Sequence, residues 1–427
     1  MERESIKQFY ISQLEHDFFP YWSAYEDLEW GGILNCINNY GDQKLSDNKF
    51  TWSQGRWLWI LGRLYNLREK GVMRELDREQ LLRWMESTYQ YIIRYSIYDG
   101  GKCCYLLTRE GKKLPDQRTG RYDASIYADC FALIGMAQYI KVTRRADRAA
   151  EASRLYESIV SRIEDNDFLT EPYPIPDGYV IHGIPMILVN TVYEYYQMLR
   201  ELGLPYEQEQ AYAIQKARFI LDELYDEPGI IREHKSVPER RDTHVLDRHV
   251  NPGHTLEDMW FLAETLEDGG LLEPYLPKLC RIAAYTFDLG WDSEYGGLLR
   301  FVDREGGRPR GHLLGAEPCA YEALMMDTWD MKLWWPHSEI LYVFLLLYEK
   351  TGDPEMLRRY ETAREYVMKT FPNKDTGEWI QIRSRDGSPQ EKLVALPVKD
   401  PFHIMRNFIK IVELYSGGLS GPQEVKD

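Results

Sequence analysis

The sequence predicts an all-α protein in which twelve helices pair into six helical hairpins and close into a toroid, an (α/α)6 barrel. Three observations lead to this prediction. Helical periodicity runs through the chain, amphipathic segments alternate with segments that are apolar nearly all round, and a glycine-bearing link follows every second helix. These links predict short β-hairpin loops on one rim. The whole chain, residues 1–427, is predicted to form a single domain of this kind.

The predicted helices are of two kinds. Residues 80–95 and 353–370 carry apolar side chains on one face and charges on the other, which is typical of helices with one solvated side. Residues 57–61 (WLWIL) and 338–348 (SEILYVFLLLY) are apolar on most sides, which is typical of buried helices. The predicted helices cover residues 4–17, 51–68, 80–95, 122–141, 147–163, 183–201, 207–225, 254–267, 271–288, 332–350, 354–370 and 401–416.

The links after the odd-numbered helices share a pattern. Two are close copies, DLEWGG at 27–32 and DSEYGG at 292–297, and glycine permits the positive φ that tight turns need. Short β-branched or aromatic stretches at 179–181 and 298–302 predict small hairpins. Closure of six units buries apolar faces that one unit leaves exposed. An open superhelix is the alternative; it would require polar caps at its ends, and the last helix, FHIMRNFIKIVELY, does not look like one.

Composition excludes several classes of function. A formal net charge of -16 argues against binding nucleic acid or an anionic membrane. No run of 18 apolar residues predicts a membrane span, and the N-terminal MERESIKQFY has no apolar signal segment. The six cysteines show neither metal nor redox spacing, so the sequence predicts a reduced, cytoplasmic protein.

The starts of the even-numbered helices meet on one rim if all the hairpins open there. Four of the nine histidines fall at these starts (His182, His254, His337 and His403), and the others, His234 and His249 among them, are predicted to be surface residues. Such a rim indicates proton transfer on a sugar, because histidine is a base near neutral pH and arginine stabilises an enediolate. Two histidines across a cavity could invert a carbon centre. The candidate site residues are Trp52, Gln54, Arg56, His254, Glu257, Trp334, Trp335, His337, Glu339, His403 and Arg406.

Structural roles compete with these assignments. His254 could cap its helix, and Glu257, three residues later on the same face, could orient the imidazole or form a plain ion pair. Arg56 lies in an apolar segment and needs an internal or ligand acceptor, and His337 could satisfy neighbouring backbone. No HExxH motif or paired carboxylate–histidine spacing predicts a metal, and no glycine-rich phosphate loop is present.

Several longer segments resemble the N-acylglucosamine 2-epimerase family. They are KFTWSQGRWLWILGRLY at 49–65, RHVNPGHTLEDMWFL at 248–262, MKLWWPHSEILYVFLLLYEKTGDP at 331–354 and PFHIMRNFIKIVEL at 401–414, together with DLEWGG and DSEYGG. The likeness spans nearly the whole chain, and NPGHTLE and KLWWPHSE are its most specific parts. The family fold is an (α/α)6 barrel, which agrees with the repeat count.

The resemblance implies roles for individual residues. Arg56 matches the arginine that binds the carbonyl end of the sugar, His254 and His403 match the paired acid/base histidines, and Glu257 matches the carboxylate behind His254. We expect the remaining candidates, the three tryptophans among them, to contact the sugar. The family acts on open-chain sugars without a metal. Members close to this pattern are often homodimers, and some bind ATP as an activator that is not consumed.

One departure indicates the branch of the family. The disaccharide epimerases and aldose–ketose isomerases usually carry an Asn and a further His at the start of the sixth helix. This chain has Pro185 and Met186 there and no His in the following turn, which resembles the N-acyl sugar branch. The leading hypothesis is therefore reversible C2 epimerisation of N-acetylglucosamine and N-acetylmannosamine. The alternative is an aldose–ketose isomerase or a 2-epimerase of neutral sugars (mannose, glucose or cellobiose). A hydrolase would use two carboxylates, and a non-catalytic sugar-binding protein would show no turnover.

Overall fold

Six buried helices form a closed inner ring in the computed structural model, which describes residues 2–236 and 242–417. Each inner helix contacts the next, and the last contacts the first, so the ring closes. The (α/α)6 barrel prediction is confirmed, and the open superhelix is excluded by this closure. The inner helices are Thr51–Glu69, Ile126–Thr143, Gly183–Glu201, Pro252–Asp268, Trp334–Thr351 and Phe402–Leu414.

Six outer helices surround this ring, each packed on a neighbouring inner helix. Pro354–Thr370 shows why: its buried Met356, Tyr360, Ala363 and Val367 recur at helical spacing, and its charged residues other than Arg359 are not buried. The outer helices are Arg3–Gln13, Arg78–Tyr91, Ala149–Glu164, Glu207–Glu223, Leu272–Gly290 and Pro354–Thr370. In the described part of the chain, no helix is both long and apolar enough to cross a lipid bilayer.

The helix boundaries differ from the prediction by a few residues, and some elements were not predicted. The first and second outer helices continue through the π-helical turns Leu14–Phe18 and Ile92–Ser96, the former followed by Phe19–Ser23, and Ala146–Arg148 is a 3-10 turn. Two further α-helices, Val245–Arg248 and Ala320–Thr328, lie in the long links. Glu322 accepts a hydrogen bond from the backbone N–H of Cys319 and so caps Ala320–Thr328 locally.

Short antiparallel strands connect the units on the rim. Tyr225–Asp226 with Ile230–Ile231 is a hairpin within one link, as predicted, whereas Lys332–Leu333 pairs with Ile382–Arg383 of the following link. The prediction of small hairpins is therefore only partly right, because several strands join neighbouring units. The strands are Lys49–Phe50, Ile97–Tyr98, Lys102–Cys103, Leu106–Leu107, Lys113–Leu114, Val180–Ile181, Tyr225–Asp226, Ile230–Ile231, His234–Lys235, His249–Val250, Val302–Asp303, Lys332–Leu333 and Ile382–Arg383.

The copied DLEWGG and DSEYGG turns are each held by a buried lysine. Lys49 donates to Asp27 Oδ2 at 2.7 Å, and Lys332 donates to Asp292 Oδ2 at 3.0 Å and to the Gly296 carbonyl at 2.7 Å. Gly296 has a φ of 74°, which favours glycine. Each lysine lies in the strand directly before an inner helix, so the ion pair fixes where that helix starts on the rim.

The Asp292→Asn substitution is expected to lower the free energy of unfolding by about 3–5 kcal/mol, because Lys332 would remain buried without the carboxylate that pairs with it. Urea unfolding followed by circular dichroism measures this. The matched control is Glu294→Gln, which removes an exposed partner of Arg385 and should cost about 0–1 kcal/mol. Equal losses in the two variants would contradict a structural role for the buried pair.

Candidate active site

A cavity of about 270 Å³ opens where the starts of the inner helices converge. These helix starts supply side chains from all around the ring, as the sequence predicts. Eight of the eleven candidate residues line the cavity: Trp52, Arg56, His254, Glu257, Trp334, Trp335, His403 and Arg406. The structure therefore brings the two candidate histidines and the candidate arginine into one chamber.

His254 lies in the first turn of Pro252–Asp268, where Asn251 caps the helix by accepting its backbone N–H at 3.3 Å. Its ring Nδ1 lies 2.8 Å from Glu233 Oε1. No described protein group bonds to its Nε2, and the side chain is one-third exposed, at 33%. The expected pairing of His254 with Glu257 is wrong: Glu233, from a neighbouring link, holds the imidazole.

A second histidine continues this chain of contacts into the core. His182 Nδ1 lies 3.5 Å from Glu233 Oε2, and its Nε2 lies 2.9 Å from Asp258 Oδ2. Burial opposes protonation of His182, but the hydrogen bond to Asp258 and the nearby Glu233 carboxylate outweigh it and raise the pKa of the imidazole to about 9. His182 is therefore the cation that compensates the two buried carboxylates.

His403 is held by a parallel arrangement across the ring. Its Nδ1 lies 2.7 Å from Glu339 Oε1, and Arg406 binds both Glu339 and Glu257. Burial works against ionisation of Glu339, but Arg406 and His403 lower the pKa of its carboxyl to about 2. Each histidine thus has a carboxylate on Nδ1 and a buried cation behind that carboxylate.

Arg56 lies beside His403, with Nη2 at 3.4 Å from the histidine's Nε2. Its Nη1 pairs with Asp400 at 3.3 Å, and its guanidinium stacks 4.0 Å from the centre of the Phe131 ring. Burial lowers the pKa of Arg56 to about 10 although Asp400 opposes this, so the side chain stays a cation at neutral pH. The Trp335 ring contacts both imidazoles, with centroids 5.2 Å from His254 and 5.7 Å from His403.

Three candidate residues do not line the cavity. Gln54 is buried, and its Oε1 accepts a hydrogen bond from the backbone N–H of Ile33 at 2.8 Å. His337 accepts the Leu298 N–H at 2.9 Å, and burial lowers the pKa of its imidazole to about 3. Glu339 lies behind His403. The expectation that these three contact the substrate is wrong, because each is occupied by groups of the protein.

Some residues of the site were not predicted from the sequence. Glu233 carries no motif; its only local signal is that it closely follows a short apolar strand, Ile230–Ile231. His234 and His249 are buried rather than on the surface, and His234 lines the cavity. Burial lowers the pKa of His234 to about 3, so it is neutral. In the described part of the chain, neither histidine has the carboxylate contact that distinguishes His254 and His403.

Among the described residues, two groups of side chains at the cavity are close enough together to hold a cation, and a third, Glu15, His16 and Glu75, lies outside the cavity lining. Donor atoms of His182, Glu233 and His254 lie within 4.8 Å of one another, as do those of Glu257, Glu339 and His403. In both groups the carboxylate already takes the Nδ1 hydrogen of its histidine, so a metal would have to displace that proton. The absence of a metal requirement stays a prediction.

The protonation of His182 gives a test by pH. Because its folded pKa lies above the ordinary value of 6.5, the ion pairs contribute stability that is fully present below pH 6.5 and is lost as pH rises through about 9. Wild type is expected to lose about 2–3 kcal/mol more stability between pH 7 and pH 10 than a His182→Gln variant. Urea unfolding measures the loss, and histidine NMR locates the midpoint. A midpoint near pH 6.5 would contradict the pairing.

Comparison with known proteins agrees with the fold. A family model described as N-acylglucosamine 2-epimerase (GlcNAc 2-epimerase) matches residues 31–406. The N-acylglucosamine 2-epimerase of Bos taurus is 31% identical over 398 residues, covering 92% of this chain and 87% of the relative. The structure of cellobiose 2-epimerase from Bacillus thermoamylovorans has a TM-score of 0.74 at 18% identity, covering 96% of this chain and 100% of that one. A D-mannose isomerase structure has a TM-score of 0.72 at 13% identity, covering 96% and 98%.

The ring of paired helices, the histidine-lined cavity and these relatives together define an (α/α)6-barrel carbohydrate epimerase. The similarities to these two solved structures, at 18% and 13% identity, show the fold alone. The family model covers most of the sequence. The chain belongs to the N-acylglucosamine 2-epimerase family.

Proposed function

We propose that the protein catalyses reversible C2 epimerisation of N-acetylglucosamine and N-acetylmannosamine. The observation that carries this proposal is that two histidines line one cavity, each with Nδ1 held by a carboxylate. A carboxylate on Nδ1 leaves the lone pair on Nε2, which makes Nε2 the base. Relatives named N-acylglucosamine 2-epimerase support the choice of an N-acylated sugar.

Chemistry on the open-chain sugar needs one proton removed and one returned. The Nε2 lone pair of one histidine takes the proton on C2, and the C–H electron pair forms a C1–C2 double bond while the C1 oxygen becomes negative. Arg56 donates to that oxygen and stabilises its charge. The other histidine, protonated at Nε2, returns a proton to the opposite face of C2, and the aldehyde re-forms with C2 inverted. Solvent then restores the two protonation states.

A hydrolase is disfavoured by the state of the cavity carboxylates. Glycoside hydrolysis uses one carboxyl as an acid and a second carboxylate as base or nucleophile. Here Glu233 binds His254, Glu257 binds Arg406 and Asp400 binds Arg56. Glu171, the remaining carboxylate among the described lining residues, binds Arg118. All four carboxylates are bound by basic side chains of the protein, whereas a hydrolase leaves at least one carboxyl group free to reach the glycosidic oxygen.

Proton NMR in deuterated water tests the proposal. N-acetylglucosamine, N-acetylmannosamine, glucose and mannose are incubated separately with the enzyme, each with and without ATP. The expected result is deuterium at C2 of an N-acetyl sugar and appearance of its epimer. Exchange or ketose formation only with the neutral sugars would replace the proposal by the isomerase alternative, and silence on all four sugars would overturn it.

We also propose that the protein is a cytoplasmic homodimer. It needs no metal, and ATP activates it without being consumed. The six cysteines are unpaired in the structure, which agrees with a reducing compartment. The remaining properties rest on the family resemblance. Light scattering after size exclusion tests the dimer. The ATP arm of the NMR experiment, with ADP measured at its end, tests activation without consumption.

A further inference from the structure

Arg300 differs from the other arginines of the cavity. Arg56 and Arg406 have carboxylate partners, whereas the partners of Arg300 among the described residues are neutral. Its Nη1 donates to Thr328 Oγ1 at 2.9 Å and its Nη2 donates to the Val394 carbonyl at 3.1 Å. Its Nε, like those of Arg56 and Arg406, is buried with no partner in the described part of the chain, and the residue is 7% exposed.

A buried cation without a counter-charge is unfavourable unless a strong acceptor reaches it. Burial accordingly lowers the pKa of Arg300 to about 10, and at neutral pH the guanidinium remains charged. It lies 5.0 Å from the centre of the Phe301 ring, and Phe301, Tyr321 and Leu324 line the same cavity. This corner therefore combines one unsatisfied N–H donor with apolar walls.

Cavity-lining residues link this corner to His254. Asn251, which caps the helix of His254, lines the cavity together with Tyr321 and Arg300. The Tyr321 ring lies 4.6 Å from the ring of His234 and 5.9 Å from that of Phe301. A chain of contacts therefore runs from Arg300 through Phe301 and Tyr321 to His234, whose neighbour Glu233 bonds His254. A substituent on the reacting carbon is expected to extend along these residues.

We propose that Arg300 recognises the acyl group of the substrate, with its guanidinium donating to the amide oxygen and the acyl methyl packing against Phe301 and Leu324. This inference rests on the proposed function. C2 carries both the transferred proton and the acylamino group, so an acyl subsite must lie next to a catalytic histidine. A neutral sugar with only a hydroxyl at C2 is too short to fill the corner. Arg300 thus sets the preference for N-acylated substrates.

Open-chain alditols test this without turnover, because they lack the carbonyl that acidifies C2. Dissociation constants are measured by calorimetry for N-acetylglucosaminitol and for glucitol. The Arg300→Met variant should lose about 10- to 100-fold in affinity for the acylated alditol, as for a hydrogen bond to a charged group, with little change for glucitol. The matched control is Arg383→Met, since Arg383 is also buried and donates to backbone carbonyls but lies outside the cavity lining.

The outcomes separate the two proposals. Wild type that binds both alditols equally, or neither, would overturn the N-acyl sugar as substrate and the Arg300 subsite with it. If wild type and Arg300→Met prefer the acylated alditol to the same degree, only the subsite is overturned. Arg300 would then have the structural role of holding the Val394 carbonyl. If Arg300→Met does not fold, Arg300→Lys replaces it, because lysine keeps the positive charge but lacks the forked pair of donors. The preference of this variant for the acylated alditol should fall below that of wild type. An unchanged preference would overturn the subsite.

Discussion

Replacing His254→Gln or His403→Gln is expected to remove epimerisation while leaving proton exchange on one epimer. Each variant lacks one of the two groups that face C2, so inversion should fall by at least about 10²–10⁴-fold. The remaining histidine can still take a proton from the epimer whose C2–H points toward it and return deuterium to the same face. The two variants should therefore label different epimers.

The measurement is proton NMR in deuterated water, started separately from N-acetylglucosamine and from N-acetylmannosamine. His337→Gln is the control: His337 lies outside the cavity lining and accepts a backbone N–H, so the folded variant should epimerise at about the wild-type rate. Labelling of the same epimer by both variants would contradict a two-face mechanism. Epimerisation above about a tenth of the wild-type rate in either variant would remove that histidine from the mechanism.

The alternation of outer and inner helices could be predicted because the apolar pattern of each helix indicates which of its sides are buried. Pro354–Thr370 is apolar at helical spacing on one face, and Trp334–Thr351 is apolar nearly all round. Closure follows, since neither type can bury its surface alone. The strand pairs between units could not be predicted in the same way. Lys332–Leu333 pairs with Ile382–Arg383, in the next link of the chain, and no local pattern specifies that partner.

Which polar side chains face the cavity was harder to predict. Gln54 and Arg56 both belong to the start of Thr51–Glu69, but side chains two residues apart on a helix point about 200° apart. Arg56 enters the cavity, as Trp52 does, which leaves Gln54 turned toward the Ile33 backbone. The residue types at a helix start indicate a site, while the rotation of the helix decides which of them reach it.

The partner of His254 illustrates the same limit. Spacing of three residues places Glu257 near His254 on a helix, yet Glu257 turns toward Arg406 across the ring. His254 lies in the first turn, where its ring meets the adjoining link and Glu233. That link reaches the site through pairing of Val180–Ile181 with His234–Lys235. The contact depends on tertiary structure, so local spacing predicted the wrong carboxylate.

Replacing Glu233→Gln is expected to lower kcat by about 10³–10⁴-fold, the size of effect seen when the carboxylate behind a catalytic histidine is made an amide. The introduced amide can donate to Nδ1 of His254, which moves the ring hydrogen to Nε2 and removes the base. KM should change little, because Glu233 bonds to histidines rather than presenting a free group to the sugar.

The exchange assay distinguishes Glu233 from Glu257 as the residue that orients His254. Glu233→Gln should stop labelling of the epimer that His254→Gln also fails to label, while the other epimer still exchanges through His403. Glu257→Gln is the matched comparison: Glu257 lies 3.7 Å from His403 Nδ1 and binds Arg406, so its loss should weaken labelling on the His403 face. The reverse pattern would restore Glu257 to the role that its spacing from His254 suggested. It would also mean that the 2.8 Å contact between Glu233 and His254 serves the fold rather than the reaction.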